Sequence, residues 1–305
     1  MKYIFIFLST LLLFSCASRK EVYDAVRITP KQKLTPPGTV WLKDNLFMDE
    51  TEIYNFSYLE FLYWMYRKEP NKANTMLPDT ACWKRADIGD ADDIIKYYFR
   101  HPATRYYPVV GISYEQAVEF CNWRTDRVNE FLYIKENKLK HNADSNYAAR
   151  APKKVKYRLP TKEEWEYAAA AGLDYCNFPM GYERLTDKYN LPVSNTEEYY
   201  NYFNKDYAAN SLGCNDTIFL DLPTEKVYFG KCNQYGLYNM LGNISEIITD
   251  NLVKGLNFSM PIYSIERDGE TDVVKAQSYD YKQSTKYKRP ESWIGFRCVC
   301  EVLIK

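Results

Sequence analysis

Residues 233–250 read NQYGLYNMLGNISEIITD, and the fold turns on how this stretch is read. Its apolar residues, Leu237, Met240, Leu241, Ile244, Ile247 and Ile248, are interrupted by Asn239, Gly242 and Glu246. A helix or strand core needs none of these three. Asn and Gly belong to turns, and a carboxylate among apolar neighbours requires a partner. The stretch is a ligand site, a metal loop or an elaborate turn, and its composition alone leaves the three open.

Working outward, YRLPTKEEWEYAAAAG (157–172) carries helix punctuation at both ends. Pro160 precedes Thr161 as cap, Glu164 completes a capping box, and Gly172 ends the helix. YYPVVGISYEQAVEFCNWRTDRVNEFL (106–132) reads as a strand and then a helix capped by Ser113 with Gln116. Ala117, Cys121, Val128 and Phe131 fall near one face of it. GTVWL (38–42) reads as a strand. LFMDETEIYNFSYLEFLYWMY (46–66) reads as a short strand and a helix capped by Ser57 with Glu60. Leu59, Leu62, Tyr63 and Tyr66 are the expected inner face of that helix. Residues 71–99 look polar and irregular. Their ADIGDADDI (86–94) lacks the register and terminal Glu of a calcium loop and reads as a solvated loop. Residues 135–156 look like an exposed insertion. Beyond Gly181, short strands and loops are expected.

The chain has 305 residues, 46% hydrophobic and 26% charged, as an ordinary globular protein has. Its net charge of +0 argues against nucleic acid as a partner. The 29 Tyr suit half-wet surfaces and clefts, because each ring needs a partner for its hydroxyl. At the N-terminus, Lys2 precedes an apolar run from Tyr3 to Phe14 that is short for a membrane span. The run ends in Leu13-Phe14-Ser15-Cys16, which resembles the lipobox of bacterial lipoproteins. That resemblance implies a signal peptide over 1–15 and lipidation of Cys16. The polar, aperiodic residues that follow read as a lipidated tether over 16–35, and Pro36-Pro37-Gly38 opens one folded domain over 36–305. The protein would then be anchored to a membrane through its lipid, without spanning it. Seven further cysteines leave an odd thiol. Only His101 and His141 are present, so a three-His iron site is excluded.

Several segments resemble one family in its order. PVVGISYEQAVEFCNW, YRLPTKEEWEYAAAAG, NQYGLYNMLGNISEI and WIGFRCVC are similar to segments of the formylglycine-generating enzyme, or sulfatase-modifying factor, family. DETEIYNFSYLEFL matches its opening more loosely. The resemblance implies a compact α+β fold related to C-type lectins, with much irregular structure. It also implies a structural calcium site formed by the Asn239 side chain, the Gly242 and Ile244 carbonyls and the Glu246 carboxylate. Hard oxygen donors suit that ion. The alternative at Glu246 is a turn in which the carboxylate accepts backbone N–H groups. The family's pattern further implies a disulfide between Cys121 and Cys298.

The family's oxidation chemistry resembles that of a copper oxidase whose metal is held by two cysteines after a Gly-Gly-Ser turn. Soft thiolates select copper(I). Here Gly255 and Ser259 are the only traces of that turn, and no cysteine lies between Cys232 and Cys298. Neither copper nor iron is therefore expected. The opening residues resemble lipoproteins of gliding motility and type IX secretion. This suggests a scaffold component of a cell-envelope complex at the outer membrane, on its periplasmic face or at the cell surface. Its partners would be envelope proteins. A surface lipoprotein binding glycan or protein is the alternative, and a metal-dependent oxidase with a non-standard site is the third reading. Finally, Asp79-Thr80-Ala81 and Asp216-Thr217-Ile218 resemble O-glycosylation acceptors, at Thr80 and Thr217.

Overall fold

The computed structural model describes residues 34–86, 91–140, 147–173, 194–195, 222–260, 264–268, 271–275 and 284–303. Helices and short strands are mixed along the chain, making the protein α+β. The order is β1 (Thr39–Lys43), β2 (Leu46–Asp49), α1 (Asn55–Lys68), α2 (Pro70–Ala73), α3 (Cys82–Arg85), α4 (Ala91–Tyr97), α5 (Tyr114–Glu136), β3 (Val155–Arg158) and α6 (Lys162–Ala170). Then come β4 (Ser245–Ile248), β5 (Leu252–Lys254), β6 (Ser264–Asp268), β7 (Thr271–Lys275), β8 (Thr285–Lys286), β9 (Ile294–Gly295) and β10 (Val299–Val302). One sheet has the order β1-β2-β10-β3 and a second β8-β5-β4-β9, while β6 and β7 form a hairpin. All pairs are antiparallel except β4 with β9.

The central strands β2 and β10 of the first sheet are buried on both faces, and the alternation of their side chains divides two cores. Cys298, Cys300 and Val302 face an aromatic core with Phe47, Tyr58, Phe61, Phe120 and Phe296 from β2, α1, α5 and the C-terminal segment. Val299 faces the other way, with Leu46, Met48, Trp165, Leu237 and Met240. The free edge of β3 is covered by side chains of α5. The Asn129 Oδ1 accepts from the Lys154 and Val155 N–H groups, and its Nδ2 donates to the Val155 carbonyl. Thr125 Oγ1 accepts from Tyr157 N at 2.8 Å. Backbone groups that would template a further strand are thus satisfied within the molecule.

The Ser113–Gln116 and Thr161–Glu164 capping boxes both form. Helix α6 ends at left-handed Ala171 followed by Gly172 at φ +80°. Helix α1 differs from expectation: it begins at Asn55, capped by no side chain. Asn55 N and Phe56 N donate instead to the carbonyls of Tyr107 and Arg105, so Ser57 is not needed as a cap. Its inner face is Tyr58, Phe61, Leu62 and Met65, spaced i, i+3, i+4, i+7, while Tyr63 and Tyr66 are exposed. Phe131 of α5 is likewise exposed. The strand expected at 106–112 is a single bridge between Tyr54 and Pro108. Pro108 has no N–H to give, and Gly111 at φ +70° breaks the extension. Residues 71–99 hold α2, α3 and α4, with Cys82, Trp83, Ile94 and Tyr98 buried. Their apolar residues are too sparse for a periodic signal.

Candidate functional site

Four segments converge between the two sheets: the end of β2 with residues 49–55, the loop 233–244, α6 with β4, and residues 292–298. The loop is shaped by its polar residues. Asn233 Oδ1 accepts from Tyr235 N and Leu237 N, and its Nδ2 donates to the Ala168 carbonyl of α6. Asn239 and Asn243 adopt φ of +53° and +63°, and Gly242 φ +84°. Asn and Gly are the residues that enter this left-handed region most readily. The polar residues that stand out in the sequence are therefore needed by the backbone first.

They also hold the buried charges. Glu246, 1% exposed, meets Arg297, 0% exposed, with Arg297 Nη2 2.7 Å from Glu246 Oε1. Arg297 Nε donates to both carboxylate oxygens at 2.8 and 2.9 Å, and Trp165 Nε1 donates to Oε2 at 2.8 Å. The guanidinium further donates to the Tyr238 carbonyl at 2.9 Å. Burial works to lower the Arg297 pKa, but Glu246 and then Glu52 hold it above its ordinary value. A second pair lies alongside. Arg124 donates to Asp49 Oδ2 at 2.7 Å, which also accepts from Cys298 N at 2.8 Å. Arg124 lies over the Tyr157 ring, 4.3 Å from its centroid.

Glu52 is the third buried carboxyl. Its oxygens accept from Asn243 Nδ2 at 2.9 Å and Asn239 Nδ2 at 3.0 Å, tying the β2–α1 junction to the loop. Burial pushes its pKa up to about 7, with Arg297 working against the shift and Glu246 adding to it. Asn243 Oδ1 in turn accepts from Glu225 N and Asn195 Nδ2.

The expected calcium ligands meet a clear test here. Asn239 Oδ1 is buried without a partner, as a ligand oxygen would be. Gly242 lies in the loop, and Ile244 is buried in the cluster that includes Trp83 and Tyr98. Glu246, however, gives both oxygens to Arg297 and Trp165. A dication at that carboxylate would face the guanidinium charge and displace its hydrogen bonds. The anionic ligand decides such a site, so the four residues as arranged do not fit calcium, and no function is routed through it. The alternative of backbone N–H donors to Glu246 is also replaced: its donors are side chains.

Cys121 and Cys298 are brought together, with their buried sulfurs 3.5 Å apart as thiols. Burial pushes Cys82 and Cys300 each up to about 12. Cys298 is pushed well up by burial and by the Cys121 thiol. Thiols buried in this way are poor nucleophiles. His101 Nδ1 accepts from Ala103 N in a surface turn. Ser259 Oγ donates to Asn257 Oδ1 at 2.7 Å. Thr80 is half-buried in the turn where Asp79 accepts from Ala81 N and pairs with Arg85. Cys16, Thr217 and His141 lie outside the described residues. Among the described residues, no group of three or more His, Cys, Asp or Glu is gathered for a metal, and no helix is long and apolar enough to cross a membrane. Sequence reading missed Glu52, Trp165 and Arg297 as parts of the network. The available signal was Arg297, a charged residue inside the apolar run WIGFRCVC; Glu52 and Trp165 carry no such local mark.

The sequence model of the Sulfatase-modifying factor enzyme 1-like domain matches residues 17–302. The formylglycine-generating enzyme of Mus musculus is 24% identical over 210 residues, 65% of this chain and 45% of that protein. The chaperone protein LppX of Paenibacillus barcinonensis is 29% identical over 147 residues, 46% of this chain and 50% of that protein. The chain thus spans about half the length of these curated relatives. Among solved structures, Treponema denticola variable protein 1 is 16% identical with a TM-score of 0.43, covering 88% of this chain and 92% of that one.

Proposed function

The chain belongs to the sulfatase-modifying factor family, and we propose that its domain is catalytically silent and serves as a scaffold in a cell-envelope complex, tethered to the outer membrane by a lipid on Cys16. The observation that carries this reading is the state of the thiols. No cysteine occurs between Cys232 and Cys298, and Cys82, Cys298 and Cys300 are buried with raised pKa values. The copper chemistry that the family resemblance implies uses two thiolates, which select copper(I). The interior charges are committed to one another, as in a part built to hold its shape.

In the exported protein Cys121 and Cys298 close a disulfide; their 3.5 Å separation supports it. It would link α5 to the segment before β10 and restrict the unfolded chain over a long loop. The third reading, an oxidase with a non-standard site, finds no exposed thiol pair among the described residues. The binding alternative rests on the exposed aromatic rings, several of which lie together.

The test is native electrophoresis of detergent-solubilised membranes from the source cell. The scaffold reading expects a species much larger than the monomer, and a Cys16→Ser variant found in the soluble fraction. A protein that remains monomeric after cross-linking in intact cells overturns it.

A further inference from the structure

Three of the large exposed rings, Phe56, Tyr106 and Tyr228, are carried by segments that backbone hydrogen bonds join to one another. Backbone bonds fix the neighbourhood. Phe56 N donates to the Arg105 carbonyl, Val227 N to the Tyr106 carbonyl, and Tyr238 N to the Glu50 carbonyl at 2.8 Å. Tyr54 and Tyr106 have ring centroids 5.7 Å apart and inclined at 50°. Tyr228 and Tyr238 meet edge to face at 5.2 Å. The rings thus form a belt, Tyr54–Tyr106 and Tyr228–Tyr238, stitched by the bond from Val227 to Tyr106. Tyr106 is 48% and Tyr228 52% exposed, so the belt opens to solvent.

We propose that Tyr54, Tyr106, Tyr228 and Tyr238, with the Glu50 carboxylate beside them, form a surface site for a quaternary ammonium group.

The argument is charge complementarity. Aromatic faces attract cations placed within about 6 Å of the ring centroid, and cages of such rings bind quaternary ammonium groups. Glu50 supplies a carboxylate beside the rings and makes no ion pair among the described residues. The Tyr228 phenol is pushed up to about 12 by burial, then by Glu50, Tyr54 and Tyr238, which places these groups within electrostatic reach of one another. Tyr238 also feels Glu50. The chain itself already sets one cation on the belt: the Arg105 guanidinium lies 5.8 Å from the Tyr106 centroid. Arg105 is held there by its Nε bond to the Pro102 carbonyl. It caps the belt at one end. Among the described residues no cation covers Tyr54, Tyr228 or Tyr238, so the other end is open. The ligand chemistry is a trialkylammonium, whether from free choline or from a choline headgroup in a lipid.

The test is calorimetric titration of the purified protein with choline and with 3,3-dimethylbutan-1-ol, the neutral isostere of the same shape. Choline binding should saturate, with the isostere about tenfold weaker. Tyr228→Leu and Glu50→Gln should each weaken choline by about tenfold, while Tyr228→Phe, which keeps the ring, retains it. Tyr63→Ala, an exposed ring on α1, should leave binding unchanged. Co-sedimentation of a Cys16→Ser chain with phosphatidylcholine vesicles, lost in Tyr228→Leu, assigns the lipid source; choline binding without sedimentation assigns the free molecule. Equal binding of choline and its isostere, or no saturable binding of choline, overturns the proposal.

Discussion

Glu246 and Arg297 are almost wholly removed from water, and desolvating each charge costs several kcal/mol. Two contacts to Arg297 Nε, one to Nη2 and one to Trp165 offset that cost. Removing one partner leaves the other buried and unpaired. Arg297→Met should therefore destabilise the protein by about 3–5 kcal/mol, and adding Glu246→Leu should restore much of the loss. Urea denaturation of the two variants checks this; equal stability of the single and double variants would refute the clamp. Glu52 predicts a pH dependence. Its folded pKa of about 7 lies above the ordinary 4.5. Below the lower value folded and unfolded chains both carry the proton. Between the two only the folded chain holds it, so stability falls as pH rises through this window, by roughly 3 kcal/mol in all. Glu52→Gln removes the titration. Denaturation midpoints of variant and parent should converge or cross between pH 5 and pH 8; a constant offset would contradict the assignment.

At the scale of elements, the close approach at β9 is testable. A Cβ on Gly295 would stand 2.4 Å from the Val109 carbonyl oxygen and 2.5 Å from Ile244 Cδ1. Gly295→Ala should cost about 1–3 kcal/mol by overpacking, and Ser113→Ala about 1 kcal/mol by loss of the α5 cap. Thermal melts of each variant provide the measurement. Elements differ in how far sequence reveals them. Helices α5 and α6 carry their own caps, so local residues announced them. Helix α1 borrows carbonyls from residues 105 and 107, a tertiary arrangement that no local pattern encodes. The same holds for the loop 233–244. Its Asn and Gly residues flagged something unusual, but Glu246 finds Arg297 fifty-one residues away and Glu52 finds Asn243 across 191. The oxygens of the loop alone point to calcium, whereas the guanidinium that takes up the carboxylate comes from a distant segment.

For the whole molecule, oxidation of Cys121 with Cys298 would close a loop of 177 residues. Replacing both with serine should lower the stability of the exported protein by about 2–4 kcal/mol, and a non-reducing peptide map should recover the linked pair. Free thiols at both positions after export would contradict the disulfide. The central claim is that a sulfatase-modifying factor fold here works without redox chemistry. Elemental analysis of the purified exported protein tests it most directly. The account predicts neither copper nor iron in proportion to protein, and no change in melting temperature on removing calcium with a chelator. About one copper or iron per chain would show that a different set of ligands has replaced the missing cysteine pair, and the silent-domain reading would fall.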